Sequence, residues 1–316
     1  MRKVCVTGAG GFIGHHLARY LKYKGYWVRG VDIKEPEFSD KNEMDEFLKI
    51  DLRNPENCLK ATKGVDDVYN LAANMGGIGF ITFHKSDVLS DNVLINTNMA
   101  LACKENGVER AFYSSSACVY PISRQQNPNI TALKEEDAYP AEPDNEYGWE
   151  KLFSERLWIS FNKFFKVRIA RFHNIYGEEG TFEGGREKAP AALCRKIAKG
   201  DEVEIWGDGR QTRSFCYIDD CVEGVYRLMN SDFKKPLNIG SDRLITIDEL
   251  ANIIAKTAGK KITIKYNTNK PQGVRGRNSD NALCKKVLNW QPQISLEKGL
   301  SKTYDWIKRQ LFPDIC

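Results

Sequence analysis

Residues 4–14 of this chain are Val4-Cys5-Val6-Thr7-Gly8-Ala9-Gly10-Gly11-Phe12-Ile13-Gly14, and this stretch decides the fold. The apolar start predicts a short strand, and the glycines predict a tight turn into a helix that continues to residue 23. Glycines let a backbone approach a pyrophosphate, and free N–H groups at a helix start bind its charge. Glycine-rich turns also occur as structural caps, so this spacing alone is weak evidence. The residues expected to hold a dinucleotide here are Gly8, Gly11, Phe12, Ile13 and Gly14.

A carboxylate after the second predicted strand strengthens the dinucleotide interpretation. Asp32 ends the strand predicted over 27–32 and stands 18 residues beyond Gly14. A carboxylate at this place accepts hydrogen bonds from a ribose diol and repels a 2′-phosphate, which favours NAD over NADP. Asp51 and Leu52 follow the third strand and are expected near the adenine, and Ala72 follows the fourth, where the chain would pass close to the cofactor.

Strands and helices alternate along the first half. Further strands are predicted over 47–50, 67–71, 110–114 and 167–171, and helices over 89–105 and 147–164. This alternation is typical of an α/β fold with a doubly wound parallel Rossmann sheet, in which ligands bind at the carboxyl ends of the strands. We expect a NAD-binding domain over residues 1–172. Residues 173–316 would form mainly a smaller C-terminal α/β substrate-binding domain, with a return to the first domain around 214–240.

The composition narrows the class of protein. The 316 residues are 41% hydrophobic and 28% charged, as in ordinary globular proteins. The sequence has neither a run of 18 apolar residues nor a signal peptide at its start, so we expect a cytoplasmic protein without membrane contact. The net charge of +5 comes from scattered lysines, which argues against nucleic acid as a partner. Nine cysteines without a Cys-x-x-Cys motif, and four histidines, argue against a metal site or a disulfide framework.

A serine, a tyrosine and a lysine have the spacing of a hydride-transfer site. Tyr147 and Lys151 are one helical turn apart and share a face. The reference pKa of a phenol is near 10, and a nearby ammonium together with an oxidised nicotinamide would lower it. Ser116 could then hold a sugar hydroxyl while Tyr147 removes its proton and hydride leaves for NAD. Tyr147 and Lys151 would also contact the cofactor, although a surface tyrosine and lysine share this spacing by chance in many helices.

The order of three motifs along the chain resembles that of the extended short-chain dehydrogenase/reductase family. The motifs are the glycine turn, the serine run at 114–116 and the segment Tyr147-Gly148-Trp149-Glu150-Lys151. The resemblance covers essentially the whole chain. Residues 171–177 and 206–209 are similar to its nucleotide-sugar branch. Segments 74–80, 116–121, 184–191, 211–215 and 273–280 closely resemble the members that epimerise GDP-mannose at C3 and C5. This resemblance implies GDP-L-galactose as product, GDP-L-gulose when only C5 inverts, and a homodimer formed through helices 89–105 and 147–164.

Cys118 and Lys188 fit a proton transfer next to the oxidised carbon. A ketone at C4 of a hexose acidifies the C3 and C5 protons, and inversion needs a base on one face and an acid on the other. A thiolate stabilised by cations can act as the base and a lysine as the acid. From position alone, Cys118 could equally be a packed core cysteine and Lys188 a solvated charge or a phosphate ligand. The family resemblance implies the acid and base roles.

The substrate side is expected to carry arginines. Arg213 and Arg277 offer bidentate contacts to a diphosphate, with Arg275 as a possible substitute for Arg277. The resemblance places Arg277 and Asn174 at that group. The residues expected to bind substrate are Gly76, Gly77, Ser116, Ala117, Cys118, Asn174, Lys188, Arg213 and Arg277, with the two glycines leaving space for the sugar ring.

Three other functions compete with the epimerase. A 4,6-dehydratase needs carboxylates where Ala117 and Cys118 stand. A C4-epimerase leaves Cys118 and Lys188 without a role. A non-catalytic NAD-sensing protein would be expected to lack Tyr147 or Lys151.

Overall fold

The computed structural model describes residues 1–315, and its first half alternates strands and helices as predicted. Its elements are β1 (Lys3–Thr7), α1 (Phe12–Tyr23), β2 (Trp27–Asp32), β3 (Glu46–Lys49), α2 (Pro55–Thr62), β4 (Asp67–Asn70), α3 (Ile78–Phe83), α4 (Lys85–Glu105), β5 (Arg110–Ser116), α5 (Glu146–Ser160) and β6 (Lys166–Phe172). Side-chain caps set two of the helix starts. The Asn54 side chain accepts from Glu56 N at α2, and the Asn145 side chain accepts from Gly148 N at α5.

The second half has shorter strands and more separate sheets. Its elements are β7 (Ile175–Tyr176), α6 (Ala189–Lys199), β8 (Glu202–Trp206), β9 (Thr212–Arg213), β10 (Cys216–Tyr217), α7 (Ile218–Met229), β11 (Leu237–Ile239), β12 (Ile245–Thr246), α8 (Ile247–Thr257), β13 (Thr263–Asn267), β14 (Gly276–Arg277), α9 (Ala282–Leu288) and α10 (Leu296–Leu311). The predicted closing helix over 296–310 corresponds to α10. Helix α8 was not predicted, although Thr246 and Glu249 form a capping box at its start.

Within residues 1–315, the central sheet has seven strands in the order β11-β6-β5-β4-β1-β2-β3. All neighbouring pairs are parallel, so the doubly wound fold is confirmed. The order in which the strands are added reverses between β1 and β4, which opens a crevice at the carboxyl ends of these strands. Thr7 closes the floor of this crevice. Its Oγ1 donates to Asn70 Oδ1 at 2.8 Å and accepts from the Leu71 and Ala72 N–H groups at 3.1 Å.

Apolar side chains cover both faces of the sheet. On one face α1 packs on α7, with Leu17 and Leu228 fully buried there. On the other face α4 packs on α2 and α5, and Met99 and Trp158 are fully buried. Each such side chain contributes roughly 1.5–3 kcal/mol relative to an exposed position. This burial on two faces holds the strand ends, and therefore the site, in place.

The sequence predicts that the chain returns to the first domain around residues 214–240, and only part of this segment joins the central sheet. Strand β10 pairs with β7 in a separate two-stranded sheet, whereas β11 joins the central sheet beside β6. Helix α7, between them, packs against α1. No helix within residues 1–315 combines the length and the apolar character that crossing a bilayer requires. The eight cysteines in the same residues are all free thiols.

Candidate active site

The glycine turn after β1 is built for close backbone approach. Gly8 has φ +72°, and a Cβ on it would lie 2.9 Å from Ala72 N. A Cβ on Gly14 would lie 1.9 Å from Gly8 O, so neither position accepts a larger residue without a backbone shift. Helix α1 begins at Phe12, and no side chain among the described residues caps it at Gly11. The free N–H groups of its first turn can therefore bind an anion.

Asp32 lies beside this turn, as the sequence predicted. Its Oδ2 accepts from Gly10 N at 3.0 Å and its Oδ1 accepts from Lys34 N at 3.1 Å. Burial raises the pKa of Asp32, and these two backbone donors oppose the rise. The carboxylate is therefore held by the backbone at the position where a ribose diol would donate to it.

The residues predicted near the adenine have other contacts within the chain. Asp51 forms an ion pair with Arg53 at 2.6 Å, which holds the pKa of that carboxyl below its ordinary range. Arg53 also pairs with Asp91 at 3.1 Å. Leu52 is buried, so its side chain packs in the core. The contact of Asp51 and Leu52 with an adenine stays a prediction, whereas the placement of Ala72 against the Gly8 turn is direct.

Ser116, Tyr147 and Lys151 come together at the carboxyl end of β5. Lys151 Nζ donates to Ser114 O at 3.0 Å and lies 5.6 Å from the centre of the Tyr147 ring. Gly148 allows this arrangement, because a Cβ on it would lie 2.3 Å from Cys118 O. The catalytic helix α5 is thus pressed against the segment that carries Ser116 and Cys118.

The groups of the chain around Tyr147 act on its pKa in opposite directions. Burial raises the pKa of this phenol well above its ordinary value, and Cys118 and Glu150 raise it further. A hydrogen bond with Ser116 and the charge of Arg277 lower it. The lowering expected from a nearby ammonium together with an oxidised nicotinamide stays a prediction. The chain's own groups favour the protonated phenol, so ionisation needs a further positive charge nearby.

Cys118 lies in the same site and is contacted by a predicted substrate ligand. Arg277 Nη1 donates to Cys118 Sγ at 3.1 Å. The guanidinium is held from behind, since its Nε donates to Gln125 Oε1 at 2.5 Å and Asp144 lies 3.7 Å from Nη2. Cys118 is half-buried, as a residue that meets a ligand should be. A guanidinium at this distance can donate a charge-assisted hydrogen bond to the sulfur.

Lys188 faces the same site from the second half of the chain. It immediately precedes α6, and its side chain is half-buried. Burial lowers the pKa of Lys188, and the neighbouring Cys118 opposes this. Within residues 1–315 its ammonium has no hydrogen-bond acceptor or ion-pair partner in the chain. The structure therefore brings the two predicted proton-transfer residues together, with the lysine available to a ligand.

Arg213 and Arg277 lie side by side on adjacent strands. Strands β9 and β14 pair in register at these two residues. Burial and the charge of Arg277 lower the pKa of Arg213 to about 9. Arg213 donates to the backbone oxygens of Thr212 at 2.8 Å and Gln272 at 3.4 Å. Asp144 offsets part of this positive charge, and two adjacent guanidinium groups can together bind an anion.

Two predicted substrate contacts have different partners in the structure. Arg275 pairs with Asp208 at 2.9 Å, so the alternative that it substitutes for Arg277 is not supported. Asn174 has φ +44°, and its Nδ2 donates to Ser214 O at 2.8 Å. One amide proton of Asn174 is therefore used in a hydrogen bond within the chain. The contact of Asn174 with a diphosphate stays a prediction.

Neighbouring atoms leave no room for a side chain at Gly76 or Gly77. A Cβ on Gly76 would lie 2.7 Å from Phe80 Cβ, and one on Gly77 would lie 2.5 Å from Glu187 O. Gly77 N also donates to Arg186 O at 3.0 Å. The position of a side chain at these glycines is therefore taken by Phe80 and by the backbone that leads to Lys188, and the space for a sugar ring stays a prediction. These glycines let two loops of the chain meet.

Comparison with known proteins agrees with this geometry. Residues 4–240 match the model of the NAD dependent epimerase/dehydratase family. The chain belongs to this family. GDP-mannose 3,5-epimerase of Arabidopsis thaliana is 52% identical over 313 residues, which are 98% of this chain and 83% of that protein. The resemblance drawn from the sequence is thus confirmed.

Solved structures share the fold over nearly the full length. UDP-glucose 4-epimerase of Thermotoga maritima, solved with UDP-glucose, superposes with a TM-score of 0.88 over 98% of this chain and 99% of that one, at 24% identity. A variant of UDP-glucuronic acid 4-epimerase of Bacillus cereus, solved with NAD and a fluorinated UDP-sugar, has a TM-score of 0.84, 26% identity and the same coverage. The family is NAD-dependent, and the Gly8–Gly14 turn with Asp32 fits that cofactor.

The sequence interpretation of this epimerase/dehydratase missed residues behind the catalytic ones. Glu150 is fully buried next to Lys151, and its Oε1 accepts from Asn96 Nδ2 at 2.9 Å and Ser154 Oγ at 3.1 Å. Its place between Tyr147 and Lys151 was the available signal. Gln125, which orients Arg277, gave no signal, because it lies in a long loop without a motif.

Proposed function

We propose that this chain epimerises GDP-mannose at C3 and C5 through transient oxidation at C4, giving GDP-L-galactose, and GDP-L-gulose when only C5 inverts. The observation that carries the proposal is the meeting of Cys118, Lys188 and Arg277 beside Tyr147. An oxidation site alone would need only Tyr147, Lys151 and Ser116. The 52% identity to the Arabidopsis enzyme supports the same substrate.

The first step is oxidation at C4. Bound NAD supplies the hydride acceptor and, when oxidised, a positive charge near the phenol. Ser116 holds the C4 hydroxyl and Tyr147 takes its proton, since the added positive charge offsets the burial that raises the pKa of Tyr147. Lys151, anchored on Ser114 O at 3.0 Å, keeps its ammonium beside the tyrosine ring.

The second step is proton transfer at the carbons that flank the ketone. The thiolate of Cys118 removes the proton from one face, with the Arg277 guanidinium 3.1 Å away stabilising its charge. Lys188 donates a proton to the opposite face of the enolate. Burial lowers the pKa of Lys188, which brings it closer to the working pH and makes it a better acid. Tyr147 then returns its proton to the C4 oxygen as hydride returns to C4.

The two halves of the chain supply different parts of the site. Residues 1–172 contribute the cofactor turn and the residues Ser116, Cys118, Tyr147 and Lys151. Residues 173–316 contribute Lys188, Arg213 and Arg277, and the paired arginines are proposed to hold the diphosphate. We propose the two domains on this division of labour, with β11 returning to the first domain.

Deuterium exchange tests the function against its competitors. Purified protein is incubated with GDP-mannose in D₂O, and the sugar is followed by NMR and mass spectrometry. Deuterium at C3 and C5 with an unchanged hexose skeleton is expected. Loss of water would favour a 4,6-dehydratase, and inversion at C4 without exchange would favour a C4-epimerase. Either result would contradict the proposal.

We further propose a homodimer through the outer face of α4 and α5. Four large apolar side chains are about half exposed there, namely Leu94 at 47%, Leu101 at 51%, Trp149 at 48% and Phe153 at 52%. Such a patch on two packed helices is typical of a protein interface. Light scattering is expected to give twice the chain mass, and Leu101→Glu with Phe153→Glu to give monomers. Tyr23→Glu, on α1, is the control. A monomeric wild type at micromolar concentration would contradict the dimer.

A cytoplasmic location is proposed on the state of the cysteines. Eight free thiols, seven of them buried, lie within residues 1–315. Free thiols persist in reducing compartments. Fractionation of cells that express the protein with its natural ends tests this, and recovery in an oxidising compartment would contradict it.

A further inference from the structure

Two loops far apart in the chain meet next to the proton-transfer site. One is the segment 74–80, before and within α3, and the other is the segment 184–188, which ends at Lys188. Gly77 N donates to Arg186 O at 3.0 Å, and the absence of a side chain on Gly77 lets the Glu187 carbonyl come close. The backbone two residues before Lys188 is therefore fastened to the other loop.

The Arg186 side chain makes the second attachment. Its guanidinium carbon lies 3.8 Å from the centre of the Phe80 ring, within the range of a cation–π contact. Its Nη1 donates to Met75 O at 3.2 Å and to Asn74 Oδ1 at 3.4 Å. One side chain thus contacts three residues of the facing loop, although it is itself exposed.

The chain just before Arg186 has few contacts with the rest of the protein. Gly184 and Gly185 have φ +88° and +86°, and apart from their neighbours in the chain no atom of the described residues lies within 4 Å of a Cβ built on either. Gly185 N donates to Glu187 Oε2 at 2.7 Å, which is a bond within the segment itself. Beyond Arg186, Glu187 Oε1 accepts from Arg195 Nη2 at 2.9 Å, and α6 begins at Ala189. Lys188 therefore lies between helix α6 and a segment that contacts the facing loop through Arg186.

We propose that Arg186 is a positioning residue that, by docking on Phe80 and Met75, holds Lys188 at the face of the sugar opposite Cys118. The proposal rests on the proposed epimerase function and goes beyond it by adding a residue that touches neither substrate nor cofactor. Loss of the docking would leave Lys188 chemically intact but misplaced. Catalytic groups misplaced by about 1 Å can lose on the order of 100-fold in rate.

The test separates deprotonation from delivery of the new proton. In D₂O, Cys118 can return a deuteron to the face it deprotonated, which gives labelled GDP-mannose with retained configuration. Lys188 can deliver a deuteron to the other face, which gives labelled, inverted product. The ratio of inverted to retained label therefore reports the placement of Lys188, and a general loss of stability does not move it.

Arg186→Ala is expected to lower this ratio about 10- to 100-fold, with NADH formation from C4 oxidation within about threefold of wild type. Phe80→Leu removes the stacking partner of Arg186 and is expected to lower the same ratio. This second variant keeps the test valid if Arg186→Ala does not fold. Arg186→Lys should recover part of the ratio. Arg309→Ala, an exposed arginine on α10, is the matched control.

A double variant completes the design. If Arg186 acts through Lys188, then Arg186→Ala should change nothing further when combined with Lys188→Ala. An unchanged ratio in Arg186→Ala, or an additional loss in the double variant, would overturn the positioning role while wild-type exchange kept the epimerase function intact. A wild type that exchanged no deuterium would instead overturn the function itself.

Discussion

The guanidinium of Arg277 lies 3.1 Å from the sulfur of Cys118, although 159 residues separate the two in the chain. Gln125 binds the same guanidinium at 2.5 Å and fixes its orientation. In the proposed mechanism Arg277 has two tasks, since it would contact the diphosphate and also the sulfur of Cys118. Arg213, its neighbour in the adjacent strand, would then carry more of the diphosphate contact.

Arg277→Met is expected to slow both deuterium exchange and the alkylation of Cys118 by iodoacetamide. The variant removes the guanidinium that contacts the sulfur of Cys118, and acid–base catalysis typically contributes 10²–10⁴-fold, so exchange should fall at least about 100-fold. Alkylation of Cys118 is followed by peptide mass spectrometry. Arg275→Met is the control, because Arg275 pairs with Asp208 at 2.9 Å and should keep wild-type alkylation. Equal alkylation rates in both variants would refute the stabilising role.

Cys118→Ala is expected to abolish exchange at C3 and C5 while NAD binding survives. The cofactor turn lies on β1 and α1, and the thiol contacts Arg277 instead. Binding is measured by titration calorimetry and exchange by NMR. Cys103→Ala, at a fully buried packing position on α4, is the control and should exchange normally if it folds. Continued exchange of both protons in Cys118→Ala would mean that another base acts.

The fall of the epimerisation rate at alkaline pH is expected to follow the deprotonation of Lys188. Burial lowers the pKa of Lys188, so its acid form is lost as pH rises through a value below the ordinary one of about 10.4. Inversion should therefore fall at alkaline pH while label with retained configuration persists. In Lys188→Arg the fall should move to higher pH, because a guanidinium stays protonated. If the rate fell at the same pH in Lys188→Arg, another group would be responsible for the fall.

The rate of C4 oxidation is expected to fall as pH rises, and in Glu150→Gln this fall is expected at a lower pH. Burial lowers the pKa of Lys151, and the Glu150 carboxylate is the largest influence that raises it again. Without that negative charge Lys151 would lose its proton earlier as pH rises. NADH absorbance after substrate addition gives the profile. Glu146→Gln, on the same helix but about one-third exposed and paired with Lys85 at 3.3 Å, is the matched control and should not shift it.

Asp67→Asn is expected to destabilise the fold by about 3 kcal/mol. The carboxylate is fully buried and receives Arg2 and Arg110, each at 2.6 Å. Burial alone would raise the pKa of Asp67, but the hydrogen bonds from Arg110 and Arg2 hold it below its ordinary value. The stabilisation is therefore present above the unfolded pKa and is lost as pH falls through the lowered folded value.

Thermal unfolding between pH 3 and pH 7 measures this effect. The difference between wild type and Asp67→Asn should be largest at neutral pH and shrink in acid. Asp232→Asn is the control, because its side chain is fully exposed and should change the free energy of unfolding by less than about 0.5 kcal/mol. A pH-independent difference would show that the charge of Asp67 is not what matters.

Local parts of the site could be predicted from the sequence. The glycine turn, Asp32 at the end of β2 and the shared face of Tyr147 and Lys151 depend on residues close in the chain. Their geometry follows from helix period and backbone sterics. The surroundings of such residues could not be predicted. Examples are the carboxylate partner of Arg275, the backbone that Gly77 meets and the groups of the chain that influence the pKa of Tyr147.

By itself, the sequence determined the doubly wound class, the cofactor turn and the identity of the chemical groups available, because strand and helix patterns and residue chemistry are local properties. The tertiary structure decided which of these groups meet. Sheet order brings the carboxyl end of β5 to α5, and the pairing of β9 with β14 sets Arg277 beside Arg213, near Cys118. Such meetings arise from packing over long sequence separations, where no local pattern specifies which partner a side chain will find.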